Sequence, residues 1–189
     1  MSDVPRLPPS LPSVSSASSS SVPSPPMRWR PMLRSDLAAV LGIAALVHPG
    51  YPEREAVFAE RIALFGAGCL CLEAAGGALA GYVLSHPWQA DAAPALDTLL
   101  RRLPVSAPAY YLHDLALLPA ARGQGAAGEA VALLAAQARG AACREMALVA
   151  VNGSAAFWGR QGFAVRAVPA LAPKLASYDA AARFMVRLL

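Results

Sequence analysis

The sequence predicts an α/β domain: a mixed, strongly twisted sheet of about six or seven strands with helices on both faces. Three observations predict it. Short apolar runs of strand length alternate along the chain with longer runs whose apolar residues repeat at helical spacing. A glycine-rich turn, Arg122-Gly123-Gln124-Gly125-Ala126-Ala127-Gly128, joins one such strand directly to one such helix. Hydrophobic residues make up 56% of the 189, ample for one buried core.

Residues 1–26 are almost entirely Ser, Pro and small residues without periodicity, so they are predicted to be a disordered tail. They lack the apolar block of a secretory signal, and Met27 is an alternative start. The folded domain is predicted over 27–189. Arg28 to Leu33 reads as an edge strand, where Pro31 is tolerated because an edge N–H need not pair. Ser35 or Asp36 can cap a helix carrying Leu37, Val40, Leu41, Ala44 and Ala45, which His48-Pro49-Gly50-Tyr51-Pro52 breaks. A second helix follows from about Glu53 to Phe65, with Val57, Phe58, Ile62 and Phe65 on one face.

Gly66-Ala67-Gly68 ends that helix, and Ala75-Gly76-Gly77 turns a hairpin between strands at Cys69–Ala74 and Leu79–Leu84. His86-Pro87-Trp88 is expected to open a loop, and Leu96 to Leu103 to form a short helix. Tyr110 to Leu118 is the central strand. The helix after the glycine turn runs to about Arg139, where Gly140 stops it. Met146 to Val151 is the next strand. Ser154 can cap a short helix from Ala155 to Gln161, and Gly162-Phe163 leads into a strand through Val165. Val168 to Ala181 reads as loop, and Arg183 to Leu189 as the last strand.

Several function classes fall away. A net charge of +4 suits an anionic ligand but is too scattered for nucleic-acid binding. No apolar run reaches the roughly 18–20 residues of a membrane span. Cys69, Cys71 and Cys143 show no metal spacing, and their odd number argues against a disulfide framework, so a reducing cytoplasm and no bound metal are expected.

The glycine turn carries the chemistry. Glycines let backbone approach a ligand closely, the free N–H groups of a helix start point at an anion, and Arg122 adds a fixed positive charge. Gly123 to Gly128 also spells the dinucleotide fingerprint G-x-G-x-x-G. That motif needs an acidic residue ending the next strand, and Glu145 stands at its beginning instead.

Arg122 to Ala127 instead fits R/Q-x-x-G-x-G/A and resembles the signature of the GCN5-related N-acetyltransferases (GNAT family). Asn152, Ala155, Phe157, Trp158, Gly162 and Phe163 resemble that family's late N-x-x-A…F-Y-x-x-x-G-F element. The order of elements over about 28–189 is also the family's. The resemblance implies the GNAT fold, acetyl-coenzyme A as cofactor, and transfer of an acetyl group to a primary amine of a small molecule or peptide. Dimers are common in relatives, so it leaves a homodimer open.

It also implies roles. Arg122, Gly123, Gln124, Gly125, Ala126, Ala127 and Gly128 would hold the pyrophosphate. Backbone groups of Leu115, Ala116, Leu117 and Leu118 would pair with the pantetheine arm, and Asn152, Phe157 and Trp158 would complete the cofactor site. Leu112 to Leu117 looks like the corresponding strand of arylalkylamine N-acetyltransferases, L-H-A-L-A-V, which makes His113 the candidate base. A histidine suits proton removal near neutral pH, with a free pKa of about 6.5. By alternation His113 shares a face with Tyr111, Leu115 and Leu117, and Asp114 points the other way unless a bulge intervenes. Each has a plain alternative, a satisfied core histidine and a structural carboxylate.

Trp158 departs from the family, since it stands where a tyrosine usually protonates the departing thiolate, and an indole N–H is no acid. Tyr178 is the candidate acid in its place. Tyr51 and His86-Pro87-Trp88 are candidates for the acceptor side. The Trp158 departure also keeps a second function open: a non-catalytic sensor or partner module that binds acyl-coenzyme A.

Overall fold

The computed structural model describes residues 27–189, so the tail predicted over 1–26 lies outside the described residues. Seven strands form one sheet in the order β1-β2-β3-β4-β5-β7-β6: β1 Arg28–Pro31, β2 Cys69–Glu73, β3 Leu79–Trp88, β4 Ala109–Leu117, β5 Glu145–Ala150, β6 Ala164–Val165 and β7 Arg183–Leu188. Every pairing is antiparallel except β4 with β5. A parallel neighbour requires a crossover, and the helix that follows the glycine turn supplies it.

Helices α1 (Leu37–Val47) and α2 (Glu55–Phe65) cover one face. Val40, Ile43, Val57 and Phe58 pack there on Cys69, Cys71, Tyr82, Leu84 and Ala116. Helices α3 (Ala126–Gly140) and α4 (Ala155–Arg160) cover the other, where Val131, Leu134, Ala138 and Trp158 meet Val83, Leu112, Met146 and Met185. The sheet is therefore buried on both sides, as its long apolar strands require.

Three expectations are corrected. His86, Pro87 and Trp88 do not open a loop; they extend β3 opposite Tyr111, Tyr110 and Ala109. Strand β2 begins at Cys69, opposite Leu84, so the stretch of β3 beyond Leu84 is an edge on that side, where a proline is tolerated. Residues 96–103 form no helix. Asp97 and Arg101 hold left-handed φ values of 51° and 66°, and their backbone N–H groups donate to the Glu53 and Glu60 carboxylates. The loop predicted from Val168 to Ala181 contains a short helix, α5 (Ala172–Ala176).

Candidate active site

The sheet opens where the motifs meet. Strands β4 and β5 pair only from Ala109–Tyr111 to Glu145–Ala147, and no ladder joins Leu112–Leu117 to Leu148–Ala150. The gap between the splayed ends forms a cleft of about 670 Å³, walled by the glycine turn, α4 and the segment between α1 and α2. Backbone groups on both inner edges are left without a strand partner, which is where a ligand can take their place.

A bulge reorganises β4 beside this cleft. Leu84 pairs with Asp114 but Ser85 pairs with Leu112, so His113 is the extra residue. Asp114 thereby joins Tyr111 and Ala116 on the α1–α2 side, while Leu112 and Leu115 pack toward α3. The predicted grouping of His113 with Leu115 and Leu117 is corrected by that single inserted residue. Both His113 and Asp114 now work on the same side of the sheet.

At one end of the cleft the chain turns for an anion. Gly123 and Gly125 have φ of 76° and 83°, and no atom lies within 4 Å of where a Cβ would stand on either. The backbone is thus laid open by residues that accept a left-handed conformation without strain. Helix α3 starts at Ala126 and its first inward bond runs from Glu129 N–H to the Gly125 carbonyl, so the N–H groups of the preceding residues have no helical acceptor. Trp29 pins this turn, its indole N–H donating to the Ala126 carbonyl at 2.9 Å. Arg122 is tied through Nε to the Leu117 carbonyl at 3.0 Å, which holds its guanidinium beside the turn.

The other end is polar and buried. His113 Nε2 lies 2.8 Å from Glu53 Oε2, with side chains only 3% and 5% exposed. The other Glu53 oxygen accepts the Asp97 N–H at 2.7 Å. Asp114 accepts a short hydrogen bond from the Tyr82 hydroxyl and stands 3.1 Å from His48 Nε2, at ion-pair distance but without the alignment of a directed hydrogen bond. Burial raises the Asp114 carboxyl, but the His48 contact, the Tyr82 hydroxyl and the nearby His113 together outweigh it, and the pKa falls below its ordinary value. Burial pulls His48 down, and the Asp114 carboxylate more than restores it, so His48 is raised.

Tyr51, Tyr178, Asp179 and Asn152 close the mouth. The Tyr51 hydroxyl donates to Asp179 Oδ2 at 3.0 Å and lies 3.4 Å from Asn152 Oδ1, and its ring centroid is 5.7 Å from that of Tyr178. Burial, with Glu53 and Tyr51 nearby, pushes the Tyr178 phenol up to about 12. It is therefore protonated at neutral pH.

Most of the residues expected from the sequence line this one cleft: His113, Asp114, Leu115, Leu117, Arg122, Gly123, Gly125, Ala126, Ala127, Gly128, Asn152, Phe157, Trp158 and Tyr178. Three do not. Ala116 is buried under α1 and α2, Leu118 packs toward the same cluster, and the Gln124 amide turns back to the Ala120 carbonyl. Asn152 has a φ of 53°, and its backbone N–H donates to Asp179. Trp158 is buried between Phe157 and Phe163, with centroids 4.9 and 5.5 Å away. Tyr51 lines the cleft, whereas burial depresses His86 to about 3 and leaves it a neutral core residue. Glu53 and His48 were read in the sequence only as a helix start and a helix breaker, and nothing in their local pattern marks them as partners of β4.

The site thus joins an open glycine turn and a splayed sheet edge to a buried imidazole–carboxylate pair at its other end. The model of the acetyltransferase (GNAT) family matches residues 38–163, and the chain belongs to that family. Acetyl-coenzyme A is accordingly its cofactor, and the open glycine backbone, the unpaired first turn of α3 and the unladdered edge of β4 fit its diphosphate and its amide-bearing arm. No curated protein matches the chain. Among solved structures it is similar to Ard1 from Thermoplasma volcanium, with 15% identity, TM-score 0.65, 86% of this chain and 97% of that one covered. Naa20 of Chaetomium thermophilum in complex with a bisubstrate analogue is 20% identical, with TM-score 0.64 and 86% of each chain covered. The loading GNATL domain of CurA from Lyngbya majuscula reaches TM-score 0.69 at 13% identity, covering 85% and 96%. At such identities the likeness is one of fold.

Proposed function

We propose that the chain is an N-acetyltransferase that moves the acetyl group of acetyl-coenzyme A to a primary amine, by direct attack while both are bound. The observation that carries this is the cleft itself: one continuous space with a phosphate-type turn at one end and His113, Glu53 and Tyr178 at the other. Bound acetyl-coenzyme A supplies an activated acetyl group and a sulfur leaving group. Arg122 and the backbone N–H groups from Gly123 to Gly128 hold its diphosphate. The free edge of β4 around Leu115 and Leu117 aligns the arm, and Asn152, Phe157 and Trp158 flank it. Binding of this kind converts a bimolecular encounter into an oriented one.

His113 takes the proton that the attacking amine sheds. An alkylamine with a pKa near ~10.4 is mostly protonated at neutral pH, so a base beside it raises the reactive fraction. Asp114 is committed to His48 and Tyr82 and serves as a structural carboxylate. Tyr178 donates a hydrogen bond to the departing sulfur. With its phenol near 12 against ~8.5 for a thiol, full proton transfer to the sulfur is uphill, so Tyr178 stabilises the leaving group and solvent completes the protonation.

Free-thiol release from acetyl-coenzyme A, measured with phenethylamine, spermidine, kanamycin and a tetrapeptide with a free amino end, tests this. Turnover with at least one amine, and its loss in His113→Gln, is expected. Tight coenzyme A binding with no thiol release from any of them would favour the sensor function, which Trp158 at the tyrosine position supports.

A further inference from the structure

We infer that Glu53 is a positioning residue for the reaction, fixing His113 as the Nε2–H tautomer so that Nδ1 is the nitrogen that takes the proton. The inference rests on His113 being the base and names what makes it one.

The geometry is over-determined at Glu53. Its Oε1 accepts the Asp97 backbone N–H at 2.7 Å, and its Oε2 faces His113 Nε2 at 2.8 Å. Asp97 is itself clamped by Arg54, whose backbone N–H and Nε donate to the two Asp97 carboxylate oxygens at 2.8 and 2.7 Å and whose terminal nitrogen donates to the Asp97 carbonyl at 2.9 Å. The Glu53 carboxylate therefore cannot rotate without breaking a part-buried bond to a braced loop. A carboxylate only accepts, so the imidazole nitrogen facing it must carry the hydrogen. In a neutral ring the other nitrogen, Nδ1, then holds the lone pair, and His113 lines the cleft. When the acceptor nitrogen gives up its proton to Nδ1, the resulting imidazolium lies against a buried carboxylate, and that contact lowers the energy of the charged product of the step.

The bulge explains why the pair forms here. Without the extra residue in β4, alternation would turn either His113 or Asp114 away from α2. With it, the ring reaches the segment ahead of α2, and its 6.2 Å separation from the Tyr111 ring leaves Glu53 as its one charged partner at hydrogen-bond distance among the described residues.

Glu53→Gln separates this role from a merely structural staple. The Asp97 N–H still requires an acceptor, so the amide oxygen stays on that side and the amide nitrogen faces His113. It donates to Nε2, which forces the hydrogen onto Nδ1 and removes the lone pair from the cleft. The test is nitrogen NMR of the full chain labelled at histidine, which has only three such residues and needs no acceptor. His113 is assigned by its loss in His113→Gln.

The expected result is an Nε2–H tautomer in the parent and an Nδ1–H tautomer in E53Q. With whichever panel amine is turned over, kcat falls by about 100-fold or more while KM and the heat of coenzyme A binding stay near the parent's. An Nδ1–H tautomer in the parent, or an unchanged tautomer and rate in a folded E53Q, overturns the inference. If E53Q does not fold, the parent spectrum alone decides. Full activity in His113→Gln would instead remove the base assignment itself, and the NMR result would then describe a structural pair.

Discussion

His48 and Asp114 behave as a coupled pair whose effect on stability follows from the direction of each shift. His48 is raised in the folded chain, so its contribution is full below about 6.5 and fades as pH rises through the folded value. Asp114 is lowered, so its contribution is present above about 3.9 and fades as pH falls through its folded value. Together they stabilise most between roughly pH 4 and 6.5. Replacing His48 by Gln should cost about 1 kcal/mol more at pH 5.5 than at pH 9, read as a gap in melting temperature that narrows as pH rises. An equal gap at both pH values would mean that the 3.1 Å contact carries no net charge interaction. Residue identity alone gave little warning of this pair, because His48 sits in a Pro-Gly break whose obvious meaning is the end of a helix.

Strand β3 shows how an element is constrained by its neighbour. A Cβ on Gly81 would stand 2.5 Å from a Leu117 methyl and 2.7 Å from the Ala116 carbonyl, so any side chain there pushes β4 toward the cleft. Gly81→Ala should lower the melting temperature by about 4–8 °C, the effect of roughly 2 kcal/mol of overpacking, and weaken coenzyme A binding as well. A stability loss with unchanged binding would detach Leu117 from the cofactor site. The elements themselves were largely legible, because apolar runs and glycine breaks are local signals: β4, α3 and β5 fall where periodicity and turn chemistry put them. The failures have a common cause. The helix expected over 96–103 has local propensity, but Glu53 and Glu60 capture its backbone N–H groups from another element and hold it open. Likewise, a bulge at His113 adds one residue that no alternation pattern can announce.

At the scale of the molecule, the fold divides the work unevenly between sequence-local and long-range parts. The phosphate end is one contiguous segment, Arg122 to Gly128, and could be read from the chain. The proposed acceptor end is assembled from Tyr51 and Glu53, His113 and Tyr178, three places far apart in the chain, and only folding brings them together. No helix among the described residues is long and apolar enough to cross a membrane. What unites the two ends is the divergence of β4 from β5, and the account stands on that gap holding acetyl-coenzyme A with its diphosphate on the glycine turn. Calorimetric titration of coenzyme A into the parent chain and into Arg122→Glu tests it most directly. Measurable heat with one site is expected in the parent, with affinity at least about tenfold weaker in the variant and no heat from NAD with either. No heat from coenzyme A, or an Arg122→Glu variant that binds it as the parent does, would contradict it.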